Sequence, residues 1–217
     1  MPIGPKLTTA GRSGNVPQVN ITGYHREVQK RLFYSRREQA LILEKTVRGG
    51  FFELEMGQVM TGVHGDEHVI APLGENGRAY LSAQANSGQK EIQIPLSQAA
   101  PFFEDDHITI DGEGITAENH EIDDISVSGD TVTITTKANL ASAFTLAAGS
   151  FITLRQGGNY YVMDQEIDTG HEAKKEGALT SVVVGNAVIY QDAVIGWNST
   201  VATELNAHED GVFYVIK

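Results

Sequence analysis

The 217-residue chain contains no cysteine. That excludes a disulfide framework, a thiolate nucleophile and a Cys-ligated zinc, so stability has to come from packing, strand pairing or assembly. It also suits manufacture in a reducing cytoplasm. Long apolar runs are missing as well, for no stretch approaches the roughly 18 residues of a membrane-spanning helix. Residues 1–9 lack the charged and apolar regions of a signal peptide, which makes Asn20-Ile-Thr and Asn198-Ser-Thr chance matches to a glycosylation sequon. Gly-x-Ser-x-Gly, Gly-x-Gly-x-x-Gly and Gly-x-x-x-x-Gly-Lys-Ser/Thr do not occur. The most direct routes to a hydrolase, a dinucleotide binder or a nucleotide binder are therefore closed.

Positive charge is scarce and unevenly placed. Residues 1–50 hold nine Lys/Arg against three Asp/Glu, a balance of +6, while residues 51–217 hold seven against twenty-five, a balance of -18; together they give the net -12. Such polarity predicts a front segment that reaches out to an acidic partner, of which a neighbouring copy of the chain is one. The acidic body argues against nucleic acid, since phosphate binding needs a broad basic face. A hydrophobic content of 41% is enough for a real core in one large domain or two small ones.

Breakers organise the chain. Residues 1–23 carry Pro2, Gly4, Pro5, Gly11, Gly14, Pro17 and Gly23 with no apolar period, the texture of an extended tail. Tyr24, Val28 and Leu32 then fall four apart, as on one helix face with a cationic face opposite. Ser35-Arg-Arg-Glu38 reads as a capping box that starts a second short helix through Ala40 and Leu41, although Leu41-Ile-Leu equally suits a strand. After Gly50 short β-branched and aromatic runs alternate with Gly, Asp and Asn, which predicts an all-β fold. Strands are expected at 51–55, 58–61, 68–71, 78–82 and 91–94, then at 107–110, 121–127, 131–135 and 151–154 in what reads as a separate small barrel. Ser128-Gly-Asp130 marks a hairpin within it, and the Ala-rich 139–149 loop suits a short helical turn. Further strands are expected at 160–163, 178–184, 187–190, 193–195 and 212–216. The expected organisation is an arm over 1–50, a β body over 51–88 plus 157–217, and a β-barrel module inserted at 89–156.

Candidate chemistry is thin. His64 and His68 stand four apart as a helical zinc pair would, yet Gly65 between them points to a solvated turn. The acidic runs 103–107 and 118–124 could supply calcium ligands or an acid/base pair through Asp105, Asp106, Glu118 or Glu121. Neither run has the alternating spacing of a calcium loop, and charges at strand ends ordinarily keep β-edges soluble. Trp197, Tyr160 and Tyr161 could stack on a sugar, while a single tryptophan near a strand end is more often a core or interface anchor. No catalytic, cofactor or metal residue is assigned.

Two segments carry a resemblance. Phe51-Phe-Glu-Leu-Glu-Met-Gly-Gln-Val-Met, a Gly-rich turn and His68-Val-Ile-Ala-Pro-Leu-Gly resemble the opening of the small head-decoration proteins of lambda-like tailed phages. Val182-Val-Val-Gly-Asn-Ala-Val-Ile-Tyr, followed by Ala193-Val-Ile-Gly, resembles their closing strands, and the middle unit is similar to small β modules of phage structural proteins. Such decoration proteins are usually much shorter, so this chain would carry an inserted module and a long basic arm in addition. The resemblance implies a non-enzymatic capsid cement protein, made in the host cytoplasm and bound to the outside of the shell. Its partners would be the major capsid protein and itself, as a homo-oligomer with a trimer favoured over a dimer, with neither nucleic acid nor membrane and no cofactor. Independently of it, the pattern of the arm makes Val28, Leu32, Phe33 and Tyr34 candidate anchors on another chain, with Arg26, Lys30, Arg31, Arg36 and Arg37 selecting an acidic surface. The alternative is a segment 24–48 packed as a helix on its own acidic body. Two other functions stay open: a tail- or fibre-associated glycan-binding adhesion protein, and a carboxylate-based hydrolase.

Overall fold

A computed structural model describes residues 32–34, 40–170, 174–206 and 213–216. The fold is mainly β. The strands are β1 (Leu41–Val47), β2 (Glu53–Leu54), β3 (Val59–Val63), β4 (Asp66–Pro72), β5 (Ala79–Tyr80), β6 (Glu91–Pro95), β7 (His107–Gly112) and β8 (Ile115–Ser128). They continue as β9 (Thr131–Thr136), β10 (Phe151–Leu154), β11 (Gln156–Met163), β12 (Ile167–Asp168), β13 (Ala178–Gly185), β14 (Ala187–Tyr190) and β15 (Phe213–Ile216), with a short helix, α1 (Ser199–Asn206), before the last.

Two β units form. The first is a closed five-stranded barrel in the order β1-β13-β11-β3-β4, antiparallel except where β4 closes on β1 in parallel. The second is a six-stranded antiparallel sheet in the order β5-β10-β7-β8-β9-β6. It nearly closes on itself, because the Ser82 N–H just past β5 donates to the Gln93 carbonyl of β6 at 2.8 Å. The whole second unit lies between β4 and β11 of the first, so the barrel is interrupted and then completed. Its strands come from 79–154, so the module expected at 89–156 begins earlier and takes β5 from the segment assigned to the outer body.

Alternation builds the second unit. Ile92 and Ile94, Ile108 and Ile110, Val132 and Ile134, and Ile152 and Leu154 point inward at every second position, as a pleated strand requires, and all are buried. The barrel strands read differently. In β13 the run Val182-Val183-Val184 is buried throughout, with Val182 and Val184 in one core and Val183 in another. A strand covered on both faces has no polar side, which explains the unbroken apolar run. The core shared by Val182 and Val184 also reaches into the six-stranded unit through Phe51, Ala79 and Phe102. The second core, on the barrel's outer flank, joins Val183 and Val162 to Val201 and Leu205 of α1 and to Ile189 of β14.

The start of the body corrects the arm's expected limit. Leu41–Val47 is a barrel strand rather than the end of a helix, fully paired with β13, so the arm does not extend to Gly50. Leu32 and Phe33 lie in the second core, and Phe33 makes an antiparallel bridge to Ile189.

Candidate functional site

The expected partner-binding residues separate into three groups. Arg26, Val28, Lys30, Arg31, Arg36 and Arg37 lie outside the described residues. Leu32 and Phe33 are buried against their own chain, in the second core. Tyr34 is 64% exposed. Its N–H donates to the Val188 carbonyl at 2.7 Å and its ring meets Tyr190 edge-on at 5.8 Å, so it is held in place with much of its surface free.

The carboxylates considered for catalysis each hold a loop. Asp106 is buried and accepts from the guanidinium of Arg48 and from the Phe103 N–H at 2.8 Å. Asp105 is exposed and shares Lys137 with Glu121, each at 2.9 Å. The hydrogen bond and charge of Lys137 hold the Asp105 carboxyl below the ordinary aspartate value. Glu118 accepts the N–H groups of Ala141 and Ser142, at 3.2 and 2.9 Å, and thereby pins the 137–145 connection to β8.

His64 and His68 do not converge. Gly65, with φ +89°, turns the chain between β3 and β4, and His64 packs edge-on against His107 at 4.7 Å while His68 is exposed. Among the described residues no group of three His, Asp or Glu side chains is placed to hold a metal ion. Of the aromatics, Tyr161 is buried with the Lys45 ammonium 5.2 Å from its ring centroid, and Trp197 packs partly buried against the second core. Tyr161 lines a smaller cavity beside His64 and Gly157, whereas Tyr160 lines the largest described one, its hydroxyl donating to Gln156 Oε1 at 2.8 Å. Burial, then the charge of Glu204, raises its pKa.

That cavity is a groove of about 670 Å³ between the two β units. Its floor is the outward face of β10, β7 and β8. Register sets Phe151 beside Asp111, and Thr153 beside Thr109 beside Asn119. Arg155 follows on the next rung, its N–H donating to the His107 carbonyl at 2.8 Å. The facing wall brings Thr61 from β3 with Gln156 and Tyr160 from β11, and the start of α1 closes one end. Asn198 caps that helix, Oδ1 accepting from Thr200 and Val201 at 2.9 and 3.0 Å. Sequence reasoning missed Thr109, Asn119, Thr153 and Arg155. Period-2 alternation puts them outside their strands, but only the docking of one unit on the other makes that outer face a groove.

Compared with protein-family models and with curated proteins, the sequence matches none.

Proposed function

We propose that this chain is a structural protein of a tailed-phage particle, bound to the outside of the capsid shell, where it cements neighbouring capsid subunits. The observation that carries the proposal is the rooting of a basic segment on an acidic body. Residues 1–31 hold five Lys/Arg and one Glu, a balance of +4, against -16 for the rest of the chain. Leu32 and Phe33 tie the end of that segment into the second core. A segment fastened at its root and opposite in charge to its carrier suits bridging to a neighbouring acidic surface. Steering by charge then adds to many weak contacts at high effective concentration. The partners are the major capsid protein and further copies of this chain, a trimer being the favoured assembly, and the reading assigns no catalytic step.

Electron microscopy of shells incubated with the protein tests this. Added density on the outer surface where subunits meet is the expected result, and its loss when Arg26, Lys30, Arg31, Arg36 and Arg37 are replaced together by glutamine would assign the contact to the basic segment. Shells that stay bare with the unaltered protein would refute the cementing role.

A further inference from the structure

The proposed cementing role makes no use of the groove between the β units, and the groove's lining selects a ligand class by three observations. The first is its hydrogen-bonding chemistry. The Thr109 hydroxyl donates to Asn119 Oδ1 at 2.7 Å, so its proton is committed. Thr109 is left presenting lone pairs and Asn119 its amide N–H groups, side by side on the groove floor. One sugar hydroxyl can donate to the first and accept from the second. Thr153 continues the same rung, and Thr61 and Gln156 face it from the other wall. An apolar ligand would strip water from these groups without replacing it.

The second observation concerns strand edges. β3 lies between β11 and β4, β7 between β10 and β8, and β10 between β5 and β7. β3 and β7 are laddered on both sides, and β5 covers the Phe151–Ile152 half of β10, so a peptide has no free edge along β3 or β7 to pair with. Recognition on the floor at Thr109 and against Thr61 therefore comes from side chains.

The third is Arg155. Its backbone is fixed on both sides, the N–H to the His107 carbonyl and the carbonyl to the His64 N–H, each at 2.8 Å. Arg155 is partly buried and lines the groove, and its side chain makes no ion pair or hydrogen bond with a described residue. In a chain of net charge -12, with carboxylates in excess, an uncommitted arginine inside a groove is a ready partner for a ligand carboxylate. Asp111 on the same floor opposes a densely charged polyanion such as nucleic acid.

We propose that the inter-unit groove binds an acidic oligosaccharide, its hydroxyls read by Thr109, Asn119 and Thr153 and a carboxylate met by Arg155. The groove volume lies within the range of about 300–1,000 Å³ common for ligand sites.

The full-length protein is applied to a printed array of neutral, uronic-acid-bearing and sulfated oligosaccharides, and the best binder is titrated by calorimetry. Binding is expected on the uronic-acid-bearing members. Thr109→Val with Asn119→Leu should weaken it by about tenfold or more. Arg155→Gln should abolish the preference for acidic over neutral members. Both variants should keep the parent's melting temperature and its binding to shells, which separates this site from cementing. Absence of binding across the array, binding confined to neutral members, or affinity unchanged in both variants would overturn the proposal.

Discussion

The guanidinium of Arg48, one residue beyond β1 of the barrel, donates to the carboxylate of Asp106, one residue before β7 of the inserted unit. Arg48 is 1% exposed. Its Nε also donates to the Pro101 carbonyl at 2.9 Å, and it lies over the Phe103 ring at 4.9 Å. A charge this deeply buried is tolerated only while paired and hydrogen-bonded. The pair therefore fastens the two β units together rather than decorating either.

Arg48→Met is expected to lower stability by about 3–5 kcal/mol, because it strands the Asp106 carboxylate in a buried site. Lys175, at 3.8 Å and half-exposed, is too solvated to replace the lost partner. Asp106→Asn should cost less than loss of the arginine if the amide keeps a bond from Phe103. Urea denaturation of the two variants and their double mutant checks the ranking, and equal, additive losses would show that the residues act independently.

Excising residues 89–156 should not leave a folded outer barrel. The cut would orphan β5, uncover Arg48 and remove the part of the shared core that packs on Phe51. Circular dichroism should show loss of the cooperative melt. A sharp transition in the excised protein would prove the barrel self-sufficient.

Leu32→Ala with Phe33→Ala should destabilise the free protein, by about 2–5 kcal/mol for each buried side chain. Replacing Arg26, Lys30, Arg31, Arg36 and Arg37 with glutamine is expected to shift it by less than about 0.5 kcal/mol. Calorimetric melting distinguishes the sets, and an unchanged melting temperature in the double alanine variant would mean that the seat on the second core is not occupied in solution.

Gly57→Ala should be among the more damaging single-methyl additions. Gly57 has φ +91°, and a Cβ there would stand 2.1 Å from the Ala193 carbonyl oxygen. Left-handed strain alone costs about 1–2 kcal/mol, and here backbone must also move. Gly114→Ala is the control: φ is +77° but nothing lies within 4 Å of the added carbon, so only the strain remains.

Stability should fall as pH drops from about 7 to about 5, and His64 should carry part of the slope. Burial first, then the charges of Arg155 and His107, hold its pKa below the ordinary 6.5. The folded chain therefore takes up that proton less readily than the unfolded one. The resulting stability is complete above the unfolded value and is lost as pH falls through the lowered folded value. Glu121, opposite His107 on β8, is the nearby carboxylate on that rung. Thermal melts of His64→Gln across this range should show a shallower dependence; an identical slope would exonerate His64.

The inserted unit was legible because its strands are covered on one face only. Ile108 and Ile110, or Val132 and Ile134, alternate with polar residues, and Gly129 in the Ser128–Asp130 turn takes the positive φ of a hairpin. β1 was obscure for the opposite reason: Leu41-Ile-Leu-Glu-Lys-Thr-Val mixes helix formers with no clear period. α1 escaped although Asn198 is a good N-cap, since Ser199 and Thr200 continue the polar texture of the turn before it. Neither Arg48 nor Asp106 announces its partner, because 58 positions separate them and only the docking of the units brings them together.

β14 receives an antiparallel bridge from Phe33 and a parallel ladder from β15, so segments from opposite ends of the described chain meet on one strand. During synthesis, Leu32 and Phe33 emerge long before β14 exists. Until Ile189 and its neighbours leave the ribosome the pair has no seat, and a sticky apolar step stays open on the nascent chain. Closing that seat is a contact of very long sequence separation and belongs among the last events of folding. The junction that roots the basic segment is thus set only after the body that carries it has been made.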